Sequence, residues 1–348
     1  MITVGILFCD RDLDYLKDFL NTIPNKIFIP YEIILLDNRN DNTSDISFLN
    51  DYTVLNKGKG NLYQLVGRKK IIEKAKGDYI WFVDPDDTLF EIYEDDFAPL
   101  LELNYDFYIF SFLYKSLKGD FWYEQREKLI TDDILTFEAN DSSCSLWNKW
   151  IKTDVLKKVI DYIPNDAEVS ASEDLIYVLG SLKFGKSQLQ SKKYVYTFNV
   201  DNSCSGLDDY SKEYEKFERC FFGLDKANEI IRNLLTEEEL NKLCINLERH
   251  DCGFFFRKIL LTDNLKIKQK MFNLVKNHFS KNIVKKVWYG LLNSQKMTKK
   301  QYEDFNKILK SFYGEDVDIN ETVTHYIYSD GTEETITEQE KINPLHII

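Results

Sequence analysis

The residues best suited to chemistry in this sequence are the carboxylates that end an apolar run, Trp81-Phe82-Val83-Asp84-Pro85-Asp86-Asp87. Carboxylates two residues apart at the end of a buried strand can converge on one divalent cation. Mg²⁺ and Mn²⁺ favour such oxygen ligands and complete their shells with phosphate oxygens and water. The plain alternative is a solvated turn, since Pro-Asp-Asp is good turn chemistry. Two other apolar runs end in acidic turns, Cys9-Asp10-Arg11-Asp12 and Asp37-Asn38-Arg39-Asn40-Asp41-Asn42. A further acidic pair, Glu173-Asp174, precedes the apolar run Leu175, Ile176, Val178, Leu179. Alone, that pair could simply favour the positive end of a helix. Other chemistries find little support. The six cysteines contain no C-x-x-C spacing, and the four histidines form no metal-ligand pattern. Reduced thiols in a cytosolic protein are the expectation.

Elements that would position these residues follow from the periodicity. Thr3 to Phe8, Tyr31 to Leu36 and Tyr79 to Val83 read as buried strands, with Tyr52 to Leu55 a short additional one. Leu13, Leu16, Phe19, Leu20 and Ile23 recur at helical spacing up to Pro24. Leu65 to Lys76 reads as a helix stopped by Gly77. The order strand–helix–strand–strand–helix–strand predicts an α/β domain with a mainly parallel sheet flanked by helices. Ligands of such sheets gather at the carboxyl ends of the strands, where the acidic turns fall. From about Leu207 helical stripes take over: Leu224, Ala227, Ile230, Ile231, Leu234 and Leu235; then Ile283, Val284, Val287, Trp288, Leu291 and Leu292; then Tyr302, Phe305, Ile308, Leu309 and Phe312. Thr322 to Tyr328 and Thr332 to Thr337 flank Ser329-Asp330-Gly331 as a β-hairpin. The predicted organisation is a catalytic domain over 1–206, a mainly α-helical C-terminal module over 207–316 and a short terminal β-hairpin over 317–348.

The order of motifs from Thr3 to about Gly206 resembles the family 2 glycosyltransferases, inverting enzymes of the Rossmann-like GT-A fold, and in particular their bacterial branch. Thr3 to Asp12 is similar to that family's first strand and loop, which puts Cys9, Asp10 and Arg11 at the donor pocket. Tyr31 to Asp41 is similar to its second strand, with Asp37 where the family sets a carboxylate against the nucleotide base. Gly67-Arg68-Lys69 through Asp78-Tyr79 resembles the helix leading into the metal-binding strand, and Asp84-Pro85-Asp86 the D-x-D element. Ser145-Leu146-Trp147-Asn148-Lys149 resembles a Trp-Asn-Lys element, and Ser172-Glu173-Asp174 the Glu-Asp pair whose aspartate is the base. The sequence departs from the family at Cys9 and Asp10, usually tyrosine and asparagine, and at Lys69, usually asparagine. Those positions bear on nucleotide and sugar identity more than on the reaction.

The resemblance implies a Mn²⁺- or Mg²⁺-dependent transfer with inversion. The sugar moves from a nucleotide-sugar donor, a UDP-sugar, to a hydroxyl of a glycan, glycolipid or cell-surface polymer, as in polysaccharide biosynthesis. Asp86 would be the main metal ligand, with Asp84 on the ribose or a metal-bound water. Lys149 or Arg68 would add charge near the pyrophosphate. Asp174 would be the base, with Glu173 orienting the acceptor or the base, and Trp147 and Asn148 at the acceptor site. A positioned general base contributes about 10²–10⁴-fold. The alternatives are a catalytically silent nucleotide- or glycan-binding module, and transfer onto modified nucleic acid. A nucleotidyltransferase would carry a glycine-rich loop after the first strand, which Cys9-Asp10-Arg11-Asp12 is not.

Charge is uneven. The chain of 348 residues has a net charge of −13, which disfavours nucleic acid as a general partner. Between Asn264 and Tyr313, however, twelve lysines face two acids, Glu303 and Asp304. Lys285 and Lys286 lie opposite the stripe of Ile283, Val284, Val287 and Trp288. Two readings stand: peripheral contact of the 264–313 helices with an anionic inner-membrane face or phosphate-bearing acceptor, or a solvated lysine face on an acidic body. The expectation is a cytoplasmic protein with a potential for homo-oligomers. No apolar run approaches the roughly 18 residues of a membrane span.

Overall fold

The computed structural model describes residues 1–40, 44–115, 119–125, 127–131, 145–169, 171–199, 214–242, 247–262, 264–284, 287, 303, 307–308, 310, 323–327 and 333–337. The chain opens with β1 (Ile2–Phe8), α1 (Leu13–Thr22), β2 (Tyr31–Asp37), β3 (Thr53–Leu55), α2 (Tyr63–Lys74) and β4 (Tyr79–Val83). It continues with β5 (Thr88–Leu89), α3 (Glu94–Glu102), β6 (Phe107–Lys115), β7 (Phe121–Tyr123), β8 (Lys128–Thr131), β9 (Lys149–Lys152), α4 (Thr153–Ile160), α5 (Glu173–Phe184) and β10 (Ser187–Asn199). Then follow α6 (Tyr214–Leu234), α7 (Glu237–Lys242), α8 (Leu247–Leu261), α9 (Leu265–His278), β11 (Val323–Ile327) and β12 (Glu333–Thr337).

The main sheet runs β3-β2-β1-β4-β9-β6-β10-β5, with β7 on β6 and β8 on β10. The β3-β2-β1-β4 half is parallel, as the sequence predicts. Beyond it the sheet is mixed: β9 enters between β4 and β6 antiparallel to both, while β6 and β10 are again parallel. Phe8 pairs with Asp37, and Ile6 with Val83. This register makes the loops at Cys9, Asn38 and Asp84 leave one edge of the sheet, the carboxyl edge where open α/β sheets bind ligands.

Helix α2 must lie close to β1 and β2 to bring its buried face there. Gly67 permits it, since a Cβ at that position would come within 2.7 Å of Leu36 and 2.8 Å of Leu7. Leu65, Val66, Ile71 and Ile72 fill the same buried face, and Arg68 sits among them. Helix α5 is buried from Leu175 through Leu182, which explains an apolar run without amphipathic alternation.

The described residues fall into two compact units. One holds the main sheet with its helices through α5, together with Phe222–Leu243. In it, Leu224, Ala227, Ile230, Ile231, Leu234 and Leu235 are buried along the predicted stripe. The other holds the first part of α6 with α8, α9 and the β11–β12 pair. There Phe217 and Phe221 pack on Phe255. Strands β11 and β12 pair antiparallel from Val323↔Thr337 to Ile327↔Glu333. The predicted Asp330-Gly331 turn, Lys285, Lys286, Trp288 and most of the third apolar stripe lie outside the described residues. No helix among the described residues is long and apolar enough to cross a membrane.

Candidate active site

The carboxyl edge of β1, β2 and β4 carries three linked turns. After β1, the Cys9 N–H donates to Asp12 Oδ2 (2.8 Å), which folds the turn back on itself. Burial, then the charge of Asp12, pushes the Cys9 thiol up to about 11, so it stays neutral and is no nucleophile at ordinary pH. Asp10 Oδ2 accepts from the Asn40 N–H at 3.2 Å and ties this turn to the one after β2. Asp37, at the end of β2, is 2 % exposed. Its Oδ1 accepts from Arg39 N (3.2 Å) and Nε (2.9 Å), and its Oδ2 from Arg39 Nη2 (2.9 Å) and Gly58 N (3.2 Å). Burial alone would raise the Asp37 carboxyl, but the bonds from Arg39 and Gly58 outweigh it and hold the group below its ordinary value.

The turn after β4 holds Asp84 and Asp86. The Asp84 N–H donates to Tyr196 Oη (3.0 Å), whose own proton goes to Asp87 Oδ2 (2.6 Å). Asn199 completes the frame, its N–H on Asp87 Oδ1 (2.6 Å) and its Nδ2 on Asp86 O (3.1 Å). Asp87 is therefore a buried support, raised to about 8 by desolvation and then by Asp84. Burial also raises Asp86, with the charge of Asp12 adding to it and Arg11 opposing. Thus the β1 and β4 turns share one electrostatic neighbourhood.

Arg68 joins the β4 turn to the start of α5. Its Nη1 donates to Glu173 Oε1 at 2.9 Å and lies 2.8 Å from Asp174 Oδ1, an ion-pair distance without hydrogen-bond alignment. Asp174 Oδ2 accepts from the Leu146 N–H (3.2 Å). Asp84 lies in the same field. Burial raises it to about 7, Arg68 opposes, and Asp86, Asp174 and Glu173 add to the rise. Glu173 is raised by burial too, with Arg68 opposing and Asp174 adding. The Asp174 side chain is 25 % exposed and the Arg68 side chain 7 %, so solvent reaches the acid but scarcely the cation. Ser172, just before α5, takes a left-handed φ of 58°. Such a conformation in a non-glycine residue is costly and recurs at functional sites.

The structure thus brings Arg11, Asp86, Asp84, Arg68, Glu173 and Asp174 into one chain of contacts and fields, with Asp10 tied to the β2 turn through Asn40 and Asp37 paired with Arg39. Four expected contact residues are not presented outward. Arg68 is committed to Glu173 and Asp174 rather than turned toward a pyrophosphate. Lys149 is 1 % exposed, and its Nζ donates to Ser145 O (2.6 Å) and Asn148 Oδ1 (2.8 Å). Asn148 is fully buried with its Nδ2 on Phe110 O (3.1 Å), and Trp147 is stacked on Tyr196 and Phe198. Neither offers a face to an acceptor, because both hold the aromatic interior together. Lys69 reaches Ile163 O (2.5 Å), a link from α2 to the turn after α4. Sequence reasoning missed Arg39, Tyr196 and Asp87 as supports; of these, only the Asp-x-Arg spacing of Asp37 and Arg39 was a local signal.

The donors suit a hard divalent ion. Among the described residues no three His, Cys, Asp or Glu side chains converge as a complete metal set. Asp84 and Asp86 are both oxygen donors, and two carboxylates plus substrate phosphates are the usual Mg²⁺ arrangement. Burial first, and then the neighbouring carboxylates, raise Asp84 against the opposing Arg68, and a bound cation would favour its ionised form.

The family described as Glycosyl transferase family 2 matches residues 3–160. No curated protein matches the sequence. Among solved structures the chain is similar to S. aureus TarS, with 15 % identity, coverage of 85 % of this chain and 55 % of that one, and a TM-score of 0.45. The chain therefore spans about half the length of that protein. It is also similar to S. aureus TarS 1-349 in complex with UDP (14 % identity, 98 % of each chain, TM-score 0.45) and in complex with UDP-GlcNAc (14 %, 98 % of each chain, TM-score 0.47). The assignment rests on the family match, which includes Asp10, Asp37, Arg68, Asp84 and Asp86 and stops before Glu173 and Asp174. Residues 3–160 of the chain carry a Glycosyl transferase family 2 domain.

Proposed function

We propose that this glycosyltransferase takes its sugar from a nucleotide-sugar donor, a UDP-sugar, and transfers it with inversion to a hydroxyl of a glycan, glycolipid or cell-surface polymer. The observation that carries this reading is the Arg68 bridge. One buried cation holds Glu173 and Asp174 at the start of α5 while sharing a field with Asp84 on the D-x-D turn. This link supports a reading in which donor-side and acceptor-side carboxylates act on one centre, as a single displacement requires.

In the reaction the acceptor oxygen attacks the anomeric carbon, its proton passes to the Asp174 carboxylate, and the nucleoside diphosphate departs. Arg68 orients Asp174, and the Leu146 N–H fixes its second oxygen. Asp86 and Asp84 would hold Mg²⁺ or Mn²⁺, which supplies charge stabilisation for the departing diphosphate. Tyr196, Asp87 and Asn199 keep the D-x-D turn in place. Purified protein incubated with UDP-sugars and Mn²⁺ tests the reading. Wild type is expected to bind UDP and to release it from the donor. Asp86→Ala should lose metal-dependent binding, and Asp174→Asn should keep donor binding while losing about 10²–10⁴-fold in turnover. A wild type that neither binds nor turns over any nucleotide sugar refutes it.

A further inference from the structure

We propose that Asp10, rather than Asp37, reads the nucleotide base, its Oδ1 accepting the imide N3–H of uracil. This rests on the nucleotide-sugar reading above and adds the residue and the atom that select the base. The resemblance assigns base contact to Asp37, but both oxygens of that carboxylate are spent. Each accepts two hydrogen bonds, from Arg39 N and Nε on one side and from Arg39 Nη2 and Gly58 N on the other. An ionised carboxylate has about four lone-pair sites, so Asp37 has none to offer.

Asp10 is in the opposite condition. Its Oδ2 is held by the Asn40 N–H, which fixes the carboxyl plane between the β1 and β2 turns. Its Oδ1 is buried and has no hydrogen-bond partner. A buried acceptor without a donor is costly in a native fold and calls for an explanation. Here it sits at the carboxyl edge of the parallel half-sheet, where a nucleotide would lie.

A single unpaired acceptor also discriminates. Uracil presents one ring N–H between two carbonyls and suits it. Cytosine presents a lone pair at N3, which a carboxylate repels. Guanine presents two adjacent donors that need both carboxylate oxygens, and Oδ2 is taken. Thymine has the same imide edge as uracil, so Asp10 does not separate UDP from TDP.

Calorimetric titration of the full chain with UDP, CDP and GDP in the presence of Mg²⁺ tests the assignment. Wild type should prefer UDP to CDP and GDP by at least tenfold. Asp10→Ala should weaken UDP about ten- to a hundredfold, the range expected for losing a hydrogen bond to a charged acceptor, and should not weaken CDP, whose N3 lone pair loses a repulsive neighbour. Asp10→Asn, nearly isosteric, can turn an NH₂ toward cytosine N3 and should narrow the UDP/CDP ratio with the fold intact. Asp37→Asn should disturb stability through Arg39 yet preserve that ratio. The assignment is overturned if both Asp10 variants keep the wild-type ratio, if Asp37→Asn abolishes it in folded protein, or if wild type binds CDP or GDP as tightly as UDP. A wild type that binds no nucleotide overturns the donor reading itself and this assignment with it.

Discussion

Replacing Arg68 by methionine removes a buried cation at nearly constant volume. Two acids then lose their partner, but unequally: Glu173 is 8 % exposed as a residue, whereas the Asp174 side chain is 25 % exposed and can recover hydration. Breaking a buried ion pair from one side costs about 3–5 kcal/mol, since it leaves an uncompensated charge. With Asp174 partly solvated we expect the lower end, about 3 kcal/mol. For a unit of this size that corresponds to a fall in Tm of roughly 6–12 °C. The pH dependence has a definite sign. Burial raises the folded Glu173 carboxyl above its ordinary 4.5, and Arg68 opposes that rise; without Arg68 it goes higher. An acid raised by folding contributes stability that is complete below its unfolded value and is lost as pH climbs through the folded one. The variant should therefore be most destabilised near pH 8 and approach wild type near pH 4.5. Thermal unfolding followed by circular dichroism across that range measures it. Arg68→Met combined with Glu173→Gln should recover most of the loss at pH 8, because the orphaned charge is gone. A Tm deficit that is independent of pH, or a double variant no more stable than Arg68→Met, would refute the electrostatic argument.

Two further substitutions probe the scaffold. Gly67→Ala would thrust a Cβ to within 2.7 Å of Leu36 and 2.8 Å of Leu7, so a stability loss of about 1–3 kcal/mol is expected from overpacking; an unchanged urea midpoint contradicts the close approach of α2. Tyr196→Phe strips the Asp84 N–H and Asp87 Oδ2 of a common partner. It should cost about 1–3 kcal/mol and weaken Mg²⁺-dependent UDP binding by loosening the D-x-D turn, and calorimetry on the variant checks both.

Much of the parallel half-sheet was legible in the sequence. β1, β2 and β4 are compact apolar runs that end abruptly in acidic turns, and α2 carries a stop signal after it, so local pattern sufficed. The second half was harder. β10 mixes Gln, Ser and Lys with apolar residues, and its register shifts between Ser191 and Tyr194 and again before Tyr196 break the alternation that marks a strand. β9 is only Lys149–Lys152, a segment whose Lys-Trp-Ile-Lys composition gives no hint that it is inserted antiparallel between β4 and β6.

What the sequence by itself determined was the inventory: which carboxylates end which strands, and in what order. That information is local, carried by composition and period. Only the tertiary structure decided how each carboxylate is spent. Glu173 meets Arg68 across 105 positions of chain, Asp37 is saturated by Arg39 and Gly58, and Asp10 keeps an oxygen unpaired. Trp147 and Asn148 are consumed by the aromatic interior. Hydrogen-bond occupancy and burial depend on neighbours distant in sequence, and those quantities separate an acid that can meet a ligand from one that holds the fold.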